Sequence, residues 1–109
     1  MSAEENIKKF KLDLPKAADP VGSYVATKIS GKYIYISGQI SIDENGNLIK
    51  GKLGKELSVE NGYEAAKRCA LNIISQLKKT CNNDLSKVKS CIKITGYINS
   101  TENFIEQPK

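Results

Sequence analysis

YIYISGQIS, Tyr33 to Ser41, alternates large apolar residues with a period of two, the pattern of a half-buried strand. Gly38 interrupts it. A glycine inside a strand gives up a packing side chain and marks a bulge, or a place where something lies close against the backbone. Upstream, SYVATKIS (Ser23–Ser30) alternates too, with Tyr24, Ala26, Lys28 and Ser30 on one face and Val25, Thr27 and Ile29 on the other. Between the runs stands SGK, Ser30 to Lys32, whose Gly31 can take the positive φ that tight hairpin turns require. The two runs read as an antiparallel hairpin.

Downstream, DENGN (Asp43–Asn47) is a second turn, centred on Asn45-Gly46. The glycine-punctuated LIKGKLGKEL is a loop with short extended pieces. Ser58 then stands as an N-cap, with Glu60 in the first turn where a carboxylate suits the helix dipole. Val59, Tyr63, Ala66, Ala70, Ile73, Ile74 and Leu77 recur every three or four residues and form one apolar stripe on a helix running to about Thr80. Such a helix is ~33 Å long, enough to cross a sheet. VKSCIKITGYIN (Val88–Asn99) alternates again and reads as the longest strand, and Thr101 with Glu102 opens a second helix. Residues 1–11 read as a polar lead-in without firm structure, LPKAADPVG as an extended loop, and residues 12–109 as one domain. The order predicts an α+β fold, a mixed sheet with helices on one face. That arrangement leaves an edge for further chain or other subunits to cover.

Composition removes whole classes of chemistry. The chain has no histidine, so Ser-His-Asp triads, Cys-His pairs and His-bearing metal helices are out. Its three cysteines, Cys69, Cys81 and Cys91, show no C-x-x-C spacing and read as reduced thiols, so no metal site is expected. The net charge of +5 rests on dispersed lysines and a single arginine, Arg68. Nucleic-acid readout favours arginine forks beside aromatics, so a nucleic-acid surface is not expected. Neither a signal-like leader nor a ~20-residue apolar span is present, and a soluble, cytoplasmic protein is expected, with an organelle left open.

Any catalysis must therefore use backbone groups, hydroxyls, carboxylates, amides and water. Ser37-Gly38-Gln39 is the leading candidate: Gly38 lets a ligand reach the main chain, where the Ser37 hydroxyl and adjacent N–H groups can hold it. The alternative is a bulge at a bend of the sheet. Tyr24 is either a packed aromatic or a ligand-binding phenol, and Asn72 reads as a capping or bridging residue. Gly51-Lys52-Leu53-Gly54-Lys55 lacks the spacing of a phosphate loop.

Taken in order, LPKAADPVGSYV, YIYISGQI, GKLGKELSVENGYEAAKRCALN, KVKSCIKITGYINS and FIEQP resemble the RidA family, also called YjgF or L-PSP endoribonuclease, from about Leu12 to Lys109. The resemblance implies a chorismate-mutase-like fold assembled as a homotrimer, with substrate clefts between subunits. It implies hydrolysis of enamines and imines such as 2-aminoacrylate to a 2-keto acid and ammonia, a C–N hydrolase activity without metal or organic cofactor. Ser37 and Gly38 match the family's catalytic "SG", Tyr24 the cleft tyrosine, and Gln39 a supporting substrate contact. The family's carboxylate-binding arginine and water-positioning glutamate lie on a later strand and have no match within these residues, and Arg68 is not that arginine. The expectation is a chain lacking the C-terminal closing elements and, if residue 109 is its end, a poor deaminase. A non-catalytic ligand-binding or regulatory member and an RNA-cleaving translation inhibitor are the other readings.

Overall fold

In the computed structural model, which describes residues 2–109, Gly31 takes a φ of 59° and closes a two-residue turn. The flanking strands, β1 (Thr27–Ser30) and β2 (Tyr33–Ile36), pair antiparallel with Thr27 opposite Ile36 and Ile29 opposite Ile34. One further bond, from the Ser37 N–H to the Ala26 carbonyl at 2.9 Å, ends the ladder. Both strands are shorter than their alternation suggests. The chain beyond Gln39 is drawn aside by Asn72, whose side-chain amide donates to the carbonyls of Ile40 and Ile42 at 3.0 Å each. The expected DENGN turn forms, with Gly46 at φ 82° and a short antiparallel bridge between Ile42 and Leu48.

The long helix begins at Ser58 as its sequence predicts. The Ser58 hydroxyl accepts the Asn61 N–H, the Asn61 side chain accepts the Ser58 N–H, and the helix runs Val59–Thr80. Beyond its Cys81 cap, Asn82 and Asn83 lie in the left-handed region, which asparagine tolerates. Asp84 then caps a single 3₁₀ turn, Leu85–Lys87. An additional helix, Ala3–Lys9, stands where the sequence reading found no firm structure. It is α1, and the long helix is α2. Ser2 caps α1, glutamates occupy its first turn and lysines its last, so it is held by end effects rather than by a buried stripe. Glu4 joins it to the rest of the chain, accepting the Leu85 N–H at 2.9 Å and pairing with Lys78.

The packing departs from the sequence reading in three respects. Leu71, Ser75 and Gln76, not the apolar stripe, are the buried residues of α2. The segment from Leu14 to Asp19 lies across them, with the Ser75 hydroxyl donating to Pro15 O and the Gln76 amide to Ala18 O, both at 2.7 Å. Tyr63, Ala66 and Ala70 of the stripe are exposed. The hairpin reaches α2 at its far end, where the Thr27 and Thr80 hydroxyls meet at 2.8 Å. Second, Val88–Asn99 forms no strand: only its last residue, Asn99, meets a neighbour, at Leu53, and alternation alone cannot supply more. Third, the segment after Thr101 makes turns, not a helix.

Among the described residues, the architecture is a small α+β arrangement with a two-stranded antiparallel sheet and two α-helices. Among the described residues, the buried apolar side chains are Leu71, Cys81 and Leu85, and Leu85 is 1% exposed. The chain exposes 8616 Å², against roughly 6,000 Å² for a packed monomer of this mass. Among the described residues, no helix is long and apolar enough to cross a membrane.

Candidate functional site

Ser37, Gly38 and Gln39 follow directly on β2, and Tyr24 lies just ahead of β1, so all four stand on the segments that leave the open end of the hairpin. The last ladder bond sets the geometry. Ser37 gives its N–H to Ala26 O at 2.9 Å, and its hydroxyl donates to the same carbonyl at 3.2 Å. The Gln39 amide turns back to the Ser37 carbonyl at 3.2 Å. The Tyr24 phenol accepts the Val21 N–H at 3.2 Å, and its ring lies 3.6 Å from where a Cβ on Gly22 would stand. That closeness and the φ of 137° at Gly22 fold the tyrosine back on its own loop.

Gly38 behaves differently from the turn glycines. Its φ is not positive, and a Cβ built on it would meet nothing within 4 Å. Neither local conformation nor the packing of this chain requires glycine there. The main chain on either side is exposed or half-buried and can be reached from outside.

The next turn is fixed electrostatically. The Asn47 N–H, with help from that of Asn45, holds the Asp43 carboxyl below the usual carboxylate range; Asp43 Oδ1 accepts both at 2.8 and 2.9 Å. Asn72 bridges this region to α2, a role the sequence reading gave it. Arg68 is engaged elsewhere, 2.6 Å from Glu44 and 3.7 Å from Glu64. Lys52 and Leu53 of the glycine-rich loop are bonded to Glu56, Asn99 and Thr101 rather than shaped around an anion. Two open hollows lie away from the hairpin end. One of ≈ 440 Å³ runs between Lys11, Glu44 and Arg68, and one of ≈ 520 Å³ between Lys16, Ser75 and Lys79. Neither is lined by the four candidate residues.

Against known proteins, residues 4–109 match the family model described as "YjgF/chorismate mutase-like, putative endoribonuclease". Protein TCP17 of Trypanosoma cruzi is 36% identical over 102 residues, which are 94% of this chain and 63% of that protein. Among solved structures, Atu1372 of Agrobacterium tumefaciens, a protein of unknown function, superposes with a TM-score of 0.83 at 35% identity over 96% of this chain and 64% of its own. A "putative endoribonuclease" of Shewanella oneidensis superposes with a TM-score of 0.71 at 34% identity, over 79% and 56% of the two chains. This chain thus spans less than two thirds of the length of each of these relatives. The match of the family model over nearly every residue, with two structures of the same fold at about a third identity, places the chain in the YjgF/chorismate-mutase-like family.

Proposed function

We propose that the protein hydrolyses enamines and imines of the 2-aminoacrylate type to a 2-keto acid and ammonia, in a cleft beside Gly38 that a homotrimer forms between subunits. The observation that carries this reading is the open space over Gly38, a glycine that neither its own φ nor its own packing requires. A planar imine laid against that main chain would have the Ser37 hydroxyl at its edge, and the Tyr24 phenol and Gln39 amide around it. Water adds to the C=N carbon, the nitrogen takes up a proton, and the C–N bond breaks to leave a carbonyl and ammonia. The chain's part is to hold the imine in place and to polarise it through hydrogen bonds. Ser37 Oγ would turn from Ala26 O toward the ligand. Because Arg68 is held by Glu44 and Glu64, a substrate carboxylate takes its counter-charge from another group.

A second reading, ligand holding without turnover, is favoured by one observation: the Ser37 hydroxyl and the Tyr24 phenol are both engaged with main chain. The assay that separates the readings generates 2-aminoacrylate with a serine dehydratase and follows keto acid and ammonia. Deamination predicts faster ammonia release, and a drop of about 100-fold in Gly38→Val, where the ligand is displaced by about an ångström. Binding without acceleration would leave the holding role. Cleavage of RNA, the activity that the name of the Shewanella relative carries, would displace both. Light scattering of the same sample tests the trimer.

A further inference from the structure

Asparagine followed by glycine occurs twice in the chain, at Asn45-Gly46 and at Asn61-Gly62. Glycine has no side chain to screen its N–H, and its backbone turns freely, so its nitrogen can reach the amide carbon of the asparagine before it. As dipeptides the two pairs are equivalent. The fold makes them different.

At Asn61 the reacting atoms are held apart. The side-chain oxygen accepts the Ser58 N–H at 3.0 Å and the Ser58 hydroxyl at 2.8 Å, which fixes the amide against the start of α2. The Gly62 N–H donates to Ser58 O at 3.0 Å. Leu53 packs on Gly62 so closely that an added Cβ would stand 2.6 Å from Leu53 Cδ2. At Asn45 the hold is a single bond, from the Gly46 N–H to Asp43 O at 3.1 Å. The Asn45 main-chain N–H is bonded to Asp43 Oδ1 at 2.9 Å, but its side-chain amide has no partner among the described residues. Residues 44–48 are exposed. Gly46 has a φ of 82°, and nothing lies within 4 Å of where its Cβ would be.

We propose that Asn45-Gly46 is a site of spontaneous deamidation in the folded protein, and that Asn61-Gly62 is protected from it. The Gly46 nitrogen gives up its proton to solvent and attacks Asn45 Cγ. The bond from Cγ to the side-chain nitrogen breaks, ammonia leaves with that proton, and a five-membered imide ring remains. Water then opens the ring at either carbonyl, giving aspartate or isoaspartate. One water is consumed and one ammonia released, with no other reactant. Both products place a new carboxylate beside Asp43 and Glu44. Isoaspartate also lengthens the main chain of the turn by one carbon. That carries the Asn47 N–H away from Asp43 Oδ1, its acceptor at 2.8 Å, and strains the bond from the Ile49 N–H to Ser41 O.

The test incubates the 109-residue chain at neutral pH, with and without denaturing urea, and follows both Asn-Gly peptides by mass spectrometry. Deamidation makes a peptide one mass unit heavier, and an isoaspartyl methyltransferase labels the isoaspartate. In the folded chain Asn45 is expected to react at least about tenfold faster than Asn61, which has two more hydrogen bonds to break. In urea the two rates should converge. Asn45→Gln, whose longer side chain would need a six-membered ring, should remove the mass gain of the folded protein. Amide exchange at Asn47 and Ile49 should be faster in the aged protein than in the fresh one. Equal rates at Asn45 and Asn61 in the folded chain overturn the proposal, as does an Asn45 that reacts only in urea. A difference that persists undiminished in urea also overturns it, since it would come from neighbouring residues and not from the fold.

Discussion

At Gly38 a residue's cost and its use can be separated. In a strand-like context glycine is inferior to valine, and nothing in this chain crowds a side chain there. Gly38→Val is therefore expected to leave the urea midpoint unchanged or slightly raised while imine turnover falls. A loss of stability as large as the loss of activity would make the glycine structural. Asp43 gives a second expectation. Backbone N–H groups of Asn47 and Asn45 lower its folded pKa, the Ser86 hydroxyl and N–H do the same for Asp84, and the Lys52 N–H does so for Glu56. A carboxyl with a lowered folded pKa stabilises the fold above its unfolded value and loses that contribution as pH falls through the folded one. The urea midpoint should hold from neutrality to about pH 4 and decline below it. In Asp43→Asn, which keeps an acceptor oxygen but cannot titrate, the acid decline should be shallower. The motif Ser37-Gly38-Gln39 was legible because its residues are consecutive. The partners of its hydroxyl and of the Tyr24 phenol were not, because they are carbonyl and N–H groups that no side-chain pattern reports.

At the scale of elements, legibility followed the range of the interactions. The Gly31 turn, the Asn45-Gly46 turn and the Ser58 cap are local, and each forms where its residues predict. α1 was missed because it has no apolar stripe; its signal lay in Ser2, the glutamates of its first turn and the lysines of its last. The strand expected at Val88–Asn99 failed for the opposite reason, having the pattern without the partner. Gly62, a glycine inside α2, is where Leu53 sits. Alanine normally gains about 1 kcal/mol over glycine in a helix, but overpacking costs about 1–3 kcal/mol. The Leu53 main chain is held by Asn99 and Thr101, so relief must come from its side chain turning away from α2. Gly62→Ala should thus destabilise by about 1 kcal/mol in urea melts. Combined with Leu53→Ala it should cost less than the two changes added together.

For the whole molecule, the decisive quantity is how little is buried. Among the described residues, three apolar side chains are buried, Leu71, Cys81 and Leu85, while the hairpin's tyrosines, Tyr63, Ala66 and Ala70 of α2 and the isoleucines of the unbonded stretch, Lys89–Ile98, are exposed. The slope of unfolding free energy against urea scales with the surface newly exposed. It should therefore lie toward the low end of the ~1–3 kcal/mol/M range of small proteins. A slope typical of a fully packed domain of this size, rising with protein concentration, would show that copies cover one another in solution.

The same unbonded stretch has a consequence for the lifetime of the protein. Proteases cut exposed chain that makes few contacts, and Lys89–Ile98 is exposed, makes no main-chain hydrogen bond to the described residues and is fixed at both ends. With Lys89 and Lys93 inside it, limited trypsin digestion should cut there before it reaches Lys78 and Lys79 in α2.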